Sequence, residues 1–186
     1  MGMLSDRFKC VVAAFCLTVG FSLPVHGQDA DIDQLFEDLA QAEAGDAPRI
    51  ARSIVAAWER SGSAAMDLLL RRGKEALEDG QPEIAVEHFT ALVDHAPDFA
   101  EGYFGRASSY YSLGLTGPAL QDIETVLRLN PRHFEAMTGL AVVMEELGRS
   151  QDALEIYRMI LDIHPHSAQA LEASERLGLE LEGQAL

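Results

Sequence analysis

Three prolines, Pro97, Pro131 and Pro165, recur at a step of 34 residues. Each stands between two runs that read as helix, as in LNPRHFEA, Leu129 to Ala136. Proline lacks an N–H and restricts the residue before it, so each one ends a helix. Gly80, Gly114 and Gly148 keep the same step. So do the apolar columns Leu69/Tyr103/Met137, Ala76/Tyr110/Met144, Phe89/Ile123/Tyr157 and Leu92/Val126/Ile160. Such a period means stacked supersecondary units, each needing its neighbour to bury a face. Within a unit the apolar residues recur twice at helical spacing, so the unit is two amphipathic helices. The glycines fall where the first helix ends, and glycine takes the left-handed C-terminal conformation without strain. Pro82 and Ser150 suit the start of the second helix, as first-turn proline and N-cap serine. The small columns Gly73/Ala107/Ala141 and Ala85/Ala119/Ala153 let the two helices approach closely.

Residues 1–27 stand apart from this pattern. Arg7 and Lys9 precede an apolar run from Val11 to Leu23, followed by PVHGQDA. That order predicts a signal peptide cleaved after Gly27. The run is shorter than a membrane span of about 18–20 apolar residues and is interrupted by Gly20 and Pro24. No stable membrane anchor is expected after cleavage. Cys10 and Cys16 are the only cysteines, so the mature chain has no disulfide and no thiolate chemistry. A cysteine-free product suits an oxidising, periplasmic compartment. From Gln28 on, 12 Lys and Arg face 29 Asp and Glu, a net charge of −17. Nucleic acid is excluded as a partner, since phosphate binding needs a basic patch.

The columns resemble the tetratricopeptide repeat, a family of 34-residue helix–turn–helix units with a signature like Ala85-x3-Phe89…Pro97. Three ungapped units are expected at 66–99, 100–133 and 134–167. Two columns depart from the family: Leu69 and Met137 replace the opening aromatic, and Arg72 and Arg106 replace a leucine. The resemblance implies an all-α fold, a right-handed α-solenoid of tetratricopeptide helix pairs with a closing C-terminal helix. Leu35, Leu39, Ala51, Val55 and Trp58 keep the register backward, with Ser63 in place of proline and Gly45 one residue out of step. Residues 28–65 are therefore expected as a degenerate N-terminal helix pair that caps the stack. Residues 168–186 are expected as the closing helix, with a frayed EGQAL tail. The stretch SGSAAMDLLLRRGKEAL, Ser61 to Leu77, is similar to a set of small exported bacterial members of the family.

In such solenoids the first helices of each pair line a concave face, which the resemblance implies binds a partner's peptide or helix. The expected groove residues are Leu70, Lys74 and Leu77; Phe104, Ser108 and Tyr111; and Thr138, Val142 and Glu145. Phe104 and Tyr111 are the expected anchors, because aromatic residues dominate interfaces, and Lys74 is an expected anion contact. Phe104 has an alternative role in packing between helices. One subset of the family grips a partner's terminal carboxylate with Asn and Lys or Arg. Here the line reads Lys74, Ser108, Val142, and the sole asparagine is Asn130 beside a proline, so that clamp is missing. No phosphate loop, Gly-x-Ser-x-Gly elbow or His-Glu-x-x-His occurs, and neither an enzyme nor a cofactor is expected. His95, His133, His164 and His166 cluster near the prolines, which raises a metal- or solute-binding helper of an envelope transporter or enzyme as an alternative. The main expectation is an exported scaffold for a protein partner of the envelope. Self-association is the other alternative.

Overall fold

The protein's structure, a computed structural model, describes residues 27–184, with side chains from 31 to 183. The expected signal peptide lies outside the described residues except for Gly27. Among the described residues there are only helices: α1 (Gly27–Gln41), α2 (Ala47–Trp58), α3 (Ala64–Glu78), α4 (Pro82–His95), α5 (Ala100–Ser112), α6 (Thr116–Leu129), α7 (Phe134–Glu146), α8 (Ser150–Ile163) and α9 (Ala168–Gln184). None of them is long and apolar enough to cross a membrane.

The repeat columns become the core. Ala85, Ala119 and Ala153 are fully buried, and so are Leu92, Val126 and Ile160 two turns further on. Each first helix ends in one device. Gly80, Gly114 and Gly148 have φ of 69°, 71° and 72°. The N–H after each glycine then donates to a carbonyl five residues back: Gln81 to Ala76, Leu115 to Tyr110, Arg149 to Met144. This paired closure satisfies carbonyls that a helix end leaves open. Pro82 opens α4 as expected. Ser150 does not cap α8; it is the first helical residue, and Arg149 holds the cap position without a side-chain hydrogen bond to the helix's backbone N–H groups.

Phe89 shows why small residues are needed between units. Its fully buried ring lies between α3 and α5, where a Cβ on Gly73 would come within 2.6 Å of it and one on Gly105 within 2.3 Å. Arg106, the departure from the apolar pattern, is likewise explained. Its guanidinium makes two hydrogen bonds to buried Asp122, at 2.8 and 2.9 Å, and lies 5.5 Å from the Tyr103 ring. A bidentate pair of this kind tolerates burial where a lone arginine does not.

The N-terminal pair departs from the expected cap. α4 packs on α5, α6 on α7, and α8 on α9, but α2 makes no comparable packing on α3. α1 instead packs against α8. Phe36, Leu39, Ile50 and Ile54 join the core of the third unit in one continuous cluster, while the first unit's Leu70, Ala85, Phe89 and Leu92 form a separate one. The α1–α2 hairpin thus folds back across the solenoid.

The turn between α2 and α3 sets this direction. Gly62 has φ 79°, a left-handed conformation the sequence reading missed, whereas Gly45 has no positive φ. Asp67 Oδ1 accepts from the Ser61 N–H at 2.9 Å and the Ser61 hydroxyl at 2.5 Å, and the Ser63 N–H donates to the Ser61 hydroxyl at 3.1 Å. The two Ser61 donors hold the Asp67 carboxyl below its ordinary value of 3.8. A lowered folded pKa adds stability that is present above 3.8 and is lost as pH falls below that value. Ser61 amide protection, followed by NMR, should therefore drop below pH 3.8, and Asp67→Asn should show the weakened turn already at neutral pH. A Ser61 amide indifferent to both changes would remove Asp67 from this role.

α9 continues the helix through Gln184, so the expected fraying of EGQAL is not seen up to that residue; Ala185 and Leu186 lie outside the described residues.

Candidate functional site

The groove between α3, α5 and α7 has two compartments. The first, of about 520 Å³, is walled by Leu70 and Lys74 of α3, Phe104 of α5 and Thr138 of α7. Val55 and Glu59 close it from the hairpin side, and His164 and Ser167 from the turn before α9. The second, of about 270 Å³, is an apolar cleft between the C-terminal halves of α5 and α7, lined by Phe104, Tyr111, Ile123 and Val142. The hairpin contributes nothing to its lining.

A layer of rings fastens the hairpin to the groove. The His133 ring lies between Trp58, stacked at 4.5 Å, and Phe104, tilted at 4.7 Å. Trp58 also meets Phe134 at 5.1 Å and Phe36 at 6.0 Å. His133 is fully buried, and both of its nitrogens are engaged. Nδ1 accepts from the Ala136 N–H at 3.1 Å, capping α7, so the ring proton sits on Nε2 and is shared with Glu101 at 2.9 Å. Next to this layer Arg132 lies 4.1 Å over the Phe36 ring and donates to Asp33 at 2.5 Å. Lys74 pairs with Glu59 on the other side.

The nine expected groove residues divide accordingly. Leu70, Lys74, Leu77, Phe104, Ser108 and Thr138 line the first compartment, and Phe104, Ser108, Tyr111, Thr138 and Val142 the second. Leu70 is at the same time core to the first unit. Lys74 is not an open anion contact, because Glu59 occupies it. Glu145 lines neither compartment. It accepts from the Tyr157 hydroxyl at 2.9 Å and from Arg176 at 2.7 Å, tying α7 to α8 and α9. Its place on the exposed line of α7 could not show that α9 would supply a cation. Tyr111 is 40% exposed, and its hydroxyl donates to Glu146, which pushes its pKa up.

Sequence reasoning missed Glu101 and Glu135, and it read His133 only as one of the loop histidines of a candidate metal site. Glu135 lines the first compartment, half-buried and with no hydrogen-bond donor among the described residues. Burial, followed by the charges of Glu101 and Glu59, pushes its carboxyl up, against His133 and Lys74. His164 lines the same compartment; its Nε2 is buried without a partner, and burial pushes its pKa down. Among the described residues no three His, Cys, Asp or Glu side chains converge as a metal ion requires.

The tetratricopeptide repeat profile matches residues 70–117 and 118–168. A TPR repeat-containing protein of Rhizobium etli is 33% identical over 153 residues, covering 82% of this chain and 75% of the relative. Small glutamine-rich tetratricopeptide repeat-containing protein 2 of Saccharomyces cerevisiae is 28% identical over 100 residues, and there the match spans only 29% of the relative. Among solved structures, the first TPR of Spaghetti (RPAP3), bound to the HSP90 peptide SRMEEVD, is similar with a TM-score of 0.59 at 20% identity, covering 63% of this chain and 95% of that one. The crystal structure of MamA protein is similar with a TM-score of 0.57 at 22% identity, covering 86% of this chain and 83% of that one. At these identities the two structures establish the fold.

Proposed function

Since the chain belongs to the tetratricopeptide repeat family, we propose that it is a non-enzymatic, exported scaffold that binds a peptide or helix of a protein partner in the cleft between α5 and α7. The carrying observation is that cleft: apolar, about 270 Å³, next to an exposed Tyr111, and with no lining residue from the hairpin, which walls the first compartment. A compartment this small admits one or two apolar side chains, while the outer groove holds the backbone that carries them. Export and a periplasmic partner rest on the leader-like residues 1–27. The peptide SRMEEVD of the RPAP3 structure ends in acids. A partner of that type would meet a groove whose Lys74 is already neutralised by Glu59 and whose corresponding positions are Ser108 and Val142.

The test is affinity capture from a bacterial envelope extract, with residues 28–186 as bait and Tyr111→Ala/Val142→Asp in parallel. Phe104 is a poor choice for this variant, since it also supports His133. The double variant should retain its helicity and lose the partner by tenfold or more, on the order of the 1.4 kcal/mol that one buried anchor supplies. Equal capture by both baits would place the site elsewhere.

Self-association is the second reading, favoured by Leu171 and Leu179, which are 47% and 65% exposed and two turns apart on the closing helix. Light scattering of the same bait across a concentration series decides it.

A further inference from the structure

We infer that the larger compartment of the groove takes a cationic group, the ammonium or guanidinium of a Lys or Arg placed beside the apolar anchor of the bound segment. This deepens the groove-binding reading and rests on it.

Four observations meet in that compartment. First, its carboxylates are unequally engaged. Glu59 is spent on Lys74, and Glu101 on the Nε2–H of His133. Glu135 has no donor among the described residues, although it is half-buried. Its oxygens still meet water, so a ligand cation would exchange that solvent for a charge-assisted hydrogen bond in a partly buried site, where such a bond is stronger than on the open surface. Second, two aromatic rings, Phe104 and Phe134, line the same space, and cations are attracted to aromatic faces. Third, His164 also lines it, and burial keeps that ring toward the neutral form, so it sets no second positive charge against a ligand cation. Fourth, the compartment adjoins the apolar cleft, since Phe104, Ser108 and Thr138 line both. One segment with a basic and an apolar side chain as near neighbours therefore fills both at once. A net charge of −16 over the whole chain adds long-range attraction for a basic segment.

The hairpin walls one side of this compartment with Val55 and Glu59. Lys74, which would repel a ligand cation, is held by Glu59 at that wall.

The test is a selection of displayed random 12-residue peptides on the chain from Gly27 on, which carries every described helix. Glu135→Gln and Tyr111→Ala/Val142→Asp are screened in parallel, each checked for unchanged helicity. The wild type should enrich peptides with Lys or Arg beside a large apolar residue. A selected peptide should bind Glu135→Gln about tenfold or more weakly. Replacing its Arg by citrulline should cost the same on the wild type and nothing further on Glu135→Gln. Affinity should fall with added salt. An apolar consensus without basic residues, bound equally by Glu135→Gln, would overturn the inference while the cleft reading stands. A lack of enrichment over the Tyr111→Ala/Val142→Asp chain would overturn both. A free amine is the other source of the same chemistry, and spermidine is its probe. If spermidine then raises the melting temperature of the wild type but not of Glu135→Gln, the compartment binds a free amine instead, and the inference of a basic side chain on a bound segment is still overturned.

Discussion

A chain ending at Ser167 will lose about 5 kcal/mol of stability, enough to abolish a cooperative thermal transition in a domain of ordinary stability. α9 buries Ala170, Ala173 and Leu177, the last of them completely, against the third unit. Without it, α8 presents an apolar face to water with nothing to stack on it. Terminal helices of a solenoid exist to prevent that. The truncation also removes Arg176 from Glu145, which leaves that carboxylate with the Tyr157 hydroxyl alone. Burial and Glu145 already push the Tyr157 pKa up, so this phenol remains a neutral donor after truncation. Circular dichroism melts of the two chains decide the point, and coincident melting curves would show that α9 is dispensable.

Trp58→Ala will release the hairpin. Truncating a packed tryptophan typically costs about 3–5 kcal/mol. Here the loss falls on one interface, because Trp58 is the ring through which α2 meets His133, Phe134 and Phe36. What remains is the packing of the hairpin's aliphatic residues on the third unit, Arg132 over the Phe36 ring, and two exposed ion pairs, Asp33–Arg132 and Glu59–Lys74. Exposed pairs contribute about 0–1 kcal/mol each. Amides of α1 and α2 should therefore exchange on the order of a hundredfold faster, while α4, α6 and α8 keep their protection. The first compartment would lose its Val55 and Glu59 wall, and Lys74 would be freed. Unchanged exchange in α1 and α2 would mean that the hairpin is held by its apolar contacts with α8 rather than by the ring layer. Trp58 is the sole tryptophan, so in the unaltered protein its emission reports the same opening directly.

The repeat was legible because it is local. Each column names a contact between residues close in sequence or one unit apart: a glycine ends its own helix, and an alanine faces the helix it is joined to. Stacking such units leaves one architecture, and the groove follows from it, which is why Phe104, Ser108, Tyr111, Thr138 and Val142 could be placed on one surface beforehand. The engagement of Glu145 by Tyr157 and Arg176, and of Lys74 by Glu59, was not legible, because a helical position says which way a side chain faces and not which charge will meet it.

The hairpin marks the limit. Its apolar residues keep the 34-residue register, so an amphipathic pair there fits a stacked cap and a fold-back equally well. The choice was made by a left-handed Gly62 with its Ser61–Asp67 hydrogen bonds, and by contacts such as Asp33 with Arg132, 99 residues apart. The sequence alone determined the helices, their pairing and the order of the stack, since those depend on periodicity and on local backbone chemistry. Only the tertiary structure decided that the hairpin walls one side of the groove through Val55 and Glu59 and leaves Glu135 without a donor, because burial and charge pairing arise from surfaces that meet after the chain has folded.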